Sequence, residues 1–216
     1  MPSKQFPPLP SHPDADILSD ETVWRGRFQL QVVRFRNRRF DGTMSGPRTW
    51  EVWRRGRGAA LLPYDPHADA VVLIEQFRLP ALAAGIDPVL VEIPAGLCDP
   101  GEDARTTLMR EAQEEMRLTP QRLEPIGDFV LSPGSSDELV SVFVGQVAIP
   151  PAGADGLLGS AGLAEEEEDI QVRVWPAKRA IEAALAGRFA NSVTTIALLW
   201  LAVRRDGLRQ RWSATP

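Results

Sequence analysis

Between Gly96 and Leu118 the chain reads GLCDPGEDARTTLMREAQEEMRL, and its acidic residues are spaced so that several fall on one edge of a helix. Asp99-Pro100-Gly101 is turn chemistry, since Pro fixes φ and Gly accepts φ > 0. From Asp103 the pattern becomes helical, with Ala104, Leu108, Ala112 and Met116 recurring every fourth residue as an apolar stripe. At about 100° per residue, Glu111 and Glu115 lie within about 40° of each other, and Glu114 lies about 60° to the other side of Glu111. Arg110 stands one turn before Glu114. Such crowding is unfavourable in isolation: like charges at i,i+4 destabilise a helix by about 0.2–0.5 kcal/mol a pair, and acids near its C-terminal end oppose the macrodipole. A solvated acidic face is one reading. The loop before the helix favours another, in which Glu102, Arg110 and the glutamates form a site for a hard divalent cation. Mg²⁺ takes oxygen ligands, keeps several waters, and is commonly shared between carboxylates and substrate phosphates.

The whole chain sets bounds on that chemistry. Its 216 residues, 44% hydrophobic, suffice for one well-cored domain with a small appendage. A net charge of −5 offers no basic surplus for a nucleic-acid backbone. The single cysteine, Cys98, allows no internal disulfide and fits a reducing, cytoplasmic compartment. No signal-peptide pattern opens the sequence and no apolar run approaches a membrane span, so no membrane is expected. His12 and His67 form no ligand pair.

The elements that must position the acidic helix follow from periodicity. Residues 1–20 are Pro-rich and aperiodic and read as a loosely held arm. Trp24 to Arg39 alternates as a strand with Phe28, Leu30 and Val32 inward, then the turn Asp41-Gly42 and a second strand over Thr49–Arg55. This 21–57 region is expected to be a small antiparallel β-sheet domain with too little core to stand alone, packing on the main domain or on another subunit. Gly58–Pro63 and Ala70–Phe77 read as a buried hairpin, and Leu90–Ile93 as a short strand leading to the acidic segment. Glu124–Leu131 and Leu139–Val147 are two further strands around SPGSSDE. Residues 149–164 read as a flexible Pro/Gly/Ala loop delivering the acidic run Glu165–Asp169. A strand over Gln171–Trp175, a helix over Pro176–Ala186 and an apolar helix over Asn191–Val203 complete the chain. The fold class is α/β: an α/β/α sandwich around a mixed sheet, spanning 58–212.

The acidic segment, G-x5-E-x7-R-E-A-x-E-E-x-R-L, resembles the Nudix box, G-x5-E-x7-R-E-U-x-E-E-x-G-U with U aliphatic. Gly96, Glu102, Arg110, Glu111, Glu114 and Glu115 match, as do Ala112 and Leu118. Arg117 replaces the box glycine, which leaves two outcomes open: a left-handed residue at position 117, or a helix that runs on until Pro120. A Nudix fold is implied. So is hydrolysis of a diphosphate linkage with Mg²⁺ or Mn²⁺, more than one ion per site, on Glu111, Glu115, Glu114 and the Ala95 carbonyl, with Glu102 and Arg110 orienting them.

Further motifs, VLIEQFR before the box, Pro133 about fifteen residues beyond it, and GRFANSVTTIALLWL, resemble the ADP-ribose pyrophosphatases of this family. The resemblance implies a base on the loop GLAEEEEDI, with Glu168 the candidate and Glu165, Glu166 and Glu167 its alternatives. It implies a homodimer with exchanged N-terminal strands, and substrate contacts from Phe28, Arg55, Arg78, Ser132 and Glu138. The expected reaction converts ADP-ribose to AMP and ribose 5-phosphate. Another nucleotide sugar such as GDP-mannose is the alternative substrate, and a non-catalytic nucleotide sensor the alternative class.

Overall fold

The computed structural model describes residues 6–163 and 167–213. Glu165 and Glu166, alternatives for the base, lie outside the described residues. Two compact units are present. One comprises residues up to Arg57 together with Val130–Leu139, the other Gly58–Phe129 and Val140 onward.

The first unit is a three-stranded antiparallel sheet of β1 (Ala15–Arg25), β2 (Gln29–Asn37) and β3 (Arg48–Arg54), in that order. Strand structure therefore begins at Ala15, inside the stretch expected to be an aperiodic arm, because Asp16 to Thr22 pair with β2 despite a sequence without clean alternation. The inward face of β2 also differs from expectation. Gln29, Gln31 and Val33 are buried, whereas Leu30 and Val32 are half-buried. The reason is Arg54, 4% exposed, whose guanidinium is met by Gln31 Oε1 at 2.6 Å, Asp137 Oδ2 at 2.6 Å and the Pro7 carbonyl at 3.0 Å. A buried charge draws its hydrogen-bond partners to that side of the strand. Asp137 also fixes the start of the chain's exit from β3, accepting from the Arg55 and Gly56 N–H groups at 2.6 and 3.1 Å.

The second unit holds a mixed sheet built on β4 (Arg57–Asp65) and β5 (Ala70–Phe77). These strands pair directly only at Tyr64–Val71 and Asp65–Ala70, then part. Into the opening come β6 (Val89–Glu92) on β5 and β7 (Ala95–Leu97) on β4, after the short helix α1 (Leu79–Ala83). Beyond β4 lie β9 (Leu139–Gln146) and β8 (Arg122–Val130); beyond β5 lie β11 (Ile170–Pro176) and the edge strand β10 (Leu157–Ala161). Strand β10 falls in the stretch expected to be loop. Its LLGSA sequence carries little strand propensity, and pairing to Gln171–Arg173, with a register shift at Gly159, decides the matter.

Helix α2 (Ala104–Met116) covers one face of this sheet, its Leu108, Ala112 and Met116 packing with Ala59, Leu61, Val72, Ile74, Ile170 and Val172. The alternate residues of the same strands, Leu62, Val71 and Leu73 among them, are fully buried towards the opposite face. There α3 (Ala177–Leu185) lies on β5 and β11 and packs against α4 (Ser192–Ser213). Helix α4 runs ten residues beyond the expected end at Val203 (to Ser213), because Leu208 and Trp212 bury and Arg205 pairs with Asp69. Charged residues between those anchors hid the period. None of the helices among the described residues is long and apolar enough to cross a membrane.

Asp103 caps α2, its carboxylate accepting from Thr106 N–H at 2.8 Å. At the other end the first of the two open outcomes holds. Arg117 adopts φ 57°, ψ 30°, and its N–H donates to Gln113 O at 3.1 Å. A left-handed arginine carries strain that glycine lacks, so Arg117→Gly is expected to stabilise the fold by about 1 kcal/mol. Urea unfolding checks this, with a midpoint shifted upward at unchanged slope.

Candidate active site

Glycine at position 96 decides the local geometry. Strand β7 pairs with β4 through Ala59–Gly96, and α2 lies so close that a Cβ on Gly96 would fall 1.7 Å from Glu111 Oε1. Backbone and carboxylate share a space that only glycine leaves open. One residue earlier, Ala95 N–H donates to Glu115 Oε2 at 3.0 Å. Strand β7 thus sets both glutamates.

Arg110 gathers the remaining box acids. Its Nη1 donates to Glu111 Oε1 at 2.7 Å and Glu114 Oε2 at 3.0 Å, while Nη2 reaches Glu102 Oε2 at 3.3 Å and the Leu97 carbonyl at 3.4 Å. The guanidinium fork matches several carboxylates at once. Glu102 also accepts from Thr107 Oγ1 at 2.9 Å and Asp99 N–H at 3.1 Å. Arg110 foremost, with the Asp99 amide, holds its carboxyl at about 2.

Glu111 and Glu115 have the opposite electrostatics. Burial pushes Glu111 up, against the pull of Arg110. Glu115 is 4% exposed, and burial, then the neighbouring charge of Glu111, pushes it up to about 8. Glu168 adds to the negative field on both. It sits at the end of the β10–β11 hairpin, where Gly162 N–H donates to the Glu114 carbonyl and Glu168 Oε2 accepts from Leu163 N–H, each at 3.3 Å. The end of β10 is therefore tied to α2 at Gly162. Glu167 has φ 54° in the same turn.

Among the described residues, no three His, Cys, Asp or Glu side chains are already gathered as a metal-ligand group. Arg110 takes up the oxygens of Glu111 and Glu114 nearest to it. The donor set nevertheless suits a hard cation. Two carboxylates, one nearly enclosed, repel each other and resist ionisation, and a divalent ion on their oxygens would relieve both effects.

The expected substrate contacts fall into two groups. In the first unit Phe28, Arg55 and Glu138 come together: the Arg55 guanidinium lies 4.4 Å from the Phe28 ring centroid and its Nε is 2.8 Å from Glu138 Oε2. Trp53, not expected as a contact, completes this cluster, edge-on to Phe28 at 5.8 Å and 4.8 Å from Arg55. In the strand over Thr49–Arg55 it reads only as an apolar residue, and it is 44% exposed. Ser132, in the SPGSSDE loop, bonds Ser135 Oγ at 3.0 Å. In the second unit Arg78 directly follows β5 and donates from Nε to Glu92 Oε2 at 2.6 Å, and its charge draws Glu115 downward. Glu92 was not expected either. A lone acid within the apolar stretch Val89–Ile93 signalled a bonded carboxylate.

Comparison with known proteins identifies the family. The NUDIX domain matches over residues 54–193. The ADP-ribose pyrophosphatase of Escherichia coli K12 is 40% identical over 200 residues, covering 93% of each chain. That of Haemophilus influenzae is 34% identical, over 94% of this chain and 92% of its own. The GDP-mannose pyrophosphatase of Salmonella arizonae is 30% identical, over 86% and 93%. The crystal structure of an ADP compounds hydrolase superposes with TM-score 0.66 at 22% identity, over 94% of this chain and 98% of that one, which speaks for the fold alone. The chain belongs to the Nudix family. It is an enzyme of the Nudix pyrophosphohydrolase type, and the α/β architecture with its appended three-stranded sheet is the Nudix fold.

Proposed function

We propose that this enzyme hydrolyses the pyrophosphate bond of ADP-ribose, giving AMP and ribose 5-phosphate, with Mg²⁺ or Mn²⁺ bound to Glu111, Glu115 and Glu114 and to the Ala95 carbonyl. The observation that carries this reading is the pair Glu111–Glu115 beside Gly96, two carboxylates raised above their ordinary range, both by burial and Glu115 also by the charge of Glu111. The ion supplies Lewis acidity towards the phosphoryl oxygens and offsets charge on the leaving phosphate. Glu102 and Arg110 keep the carboxylates in register, since one guanidinium touches Glu102, Glu111 and Glu114. Glu168 is the base: with Oε2 held by Leu163 N–H, its other carboxylate oxygen takes the proton from the attacking water.

Phe28 and Arg55, stacked at 4.4 Å, are assigned to the adenine, with Ser132 and Glu138 as further contacts and Arg78 as a donor to the pyrophosphate. A homodimer with exchanged N-terminal strands, the 21–57 region as its dimerisation domain, fits the exposed Ile17, Val23, Trp24 and Trp50 of the small sheet. The 40% relatives favour ADP-ribose over GDP-mannose, whose pyrophosphatases match at 30%. The retained box acids favour an enzyme over a sensor.

Turnover of ADP-ribose and GDP-mannose, assayed side by side with Mg²⁺, tests the order. ADP-ribose is expected to be hydrolysed with the higher kcat/KM, and equal or better use of GDP-mannose would reverse the assignment.

A further inference from the structure

In the stretch GRFANSVTTIALLWL, Asn191 has no part in the reading above, yet it makes two bonds of different kinds. Its Oδ1 accepts from Thr194 N–H at 2.9 Å, which caps α4. Its Nδ2 donates to Glu92 Oε1. Glu92, 4% exposed, gives its other oxygen to Arg78 Nε at 2.6 Å. The neighbouring Ile93 N–H is fixed to the same helix end, donating to Thr194 Oγ1 at 3.0 Å. A buried carboxylate engaged at both oxygens, on a strand tied to a helix cap, has little freedom to turn.

Among the described residues, Arg78 is gripped through Nε alone. Its side chain is 37% exposed, and among the described residues its two terminal amino groups have no hydrogen-bond acceptor. They form a two-donor fork of the shape that suits a phosphate. The charge they carry is felt at Glu115.

We infer that Glu92 and Asn191 are positioning residues, which orient Arg78 so that its terminal N–H groups meet the substrate pyrophosphate and thereby link the cap of α4 to substrate binding. The inference rests on the pyrophosphohydrolase reading above. An interaction made equally in ground and transition states appears in KM rather than kcat. Glu92→Gln is therefore expected to raise KM for ADP-ribose by about tenfold while kcat stays within about twofold, the scale of a charge-assisted hydrogen bond.

The deciding experiment is a double-mutant cycle with Arg78→Ala, read by KM, kcat and thermal melting. If Glu92 acts through Arg78, adding Glu92→Gln to Arg78→Ala changes KM no further. Asn191→Ser keeps a good cap residue and removes the donor to Glu92. It is expected to raise KM less, and again not at all beside Arg78→Ala. Should Glu92→Gln fail to fold, the Asn191→Ser cycle decides by the same criterion. Additive effects on KM, or single variants with wild-type KM, overturn the inference. A wild-type enzyme that cleaves neither ADP-ribose nor GDP-mannose sinks the functional reading instead, so the two failures are distinguishable.

Discussion

Glu115→Gln is expected to lower kcat by about 10³-fold, the scale seen when one group that stabilises transition-state charge is lost, while the protein stays folded. Glutamine keeps the shape and the oxygen that receives Ala95 N–H, now 3.0 Å away. It removes a charge that burial and Glu111 oppose. A distinctive stability signature follows. Without a divalent ion, folded Glu115 retains its proton up to about pH 8, whereas the unfolded chain releases it near 4.5. The folded state then binds more protons across that window, so stability falls as pH rises from 4.5 to 8. Saturating Mg²⁺ displaces the proton, and its stabilising effect grows over the same interval. Thermal melting of chelated wild type should show the decline, and Glu115→Gln should have a flatter profile and melt higher at pH 8. Wild-type turnover in this variant would remove Glu115 from the site.

Gly96→Ala is the second large effect. The new Cβ would stand 1.7 Å from Glu111 Oε1 and 2.1 Å from its Cδ. Strand β7 cannot withdraw, because Gly58, Ala59 and Ala60 pair with Leu97, Gly96 and Ala95. Glu111 cannot swing freely either, since Arg110 holds it at 2.7 Å. The strain is expected to cost about 1–3 kcal/mol of stability, as in overpacked cores. A displacement of about 1 Å at the reacting centre is expected to lower kcat/KM about a hundredfold. Gly46→Ala is the control: a Cβ there meets nothing within 4 Å, and both activity and stability should stay at wild-type values.

How legible the molecule was depends on whether an element's cause lies in its own residues. Helix α2 was readable because its apolar stripe and its acidic edge are both local. The hairpin of β4 and β5 was readable because both strands are buried runs. Strand β7 was not, since three residues, Ala-Gly-Leu, carry no period and are held by β4 and α2. The five-residue α1 and the edge strand β10 were missed for the same reason.

In the site itself, the Nudix resemblance implied the pairing of Glu102 with Arg110. It could not reveal that the same guanidinium also spans Glu111 and Glu114, which depends on rotamers. The reversed face of β2 has a similar origin. Nothing in Gln29-Leu30-Gln31 announces that Arg54, far along the chain, will be buried against Gln31. Likewise, Glu92 and Asn191 meet across 99 residues, and only the fold brings them together.

The most direct test of the central claim is product release from ADP-ribose by the purified enzyme with Mg²⁺, after chelation, and after Mg²⁺ is restored. AMP and ribose 5-phosphate should appear in equal amounts, stop on chelation and resume on restoration. Release that continues unchanged in chelator, or ADP-ribose that stays intact throughout, would contradict the account.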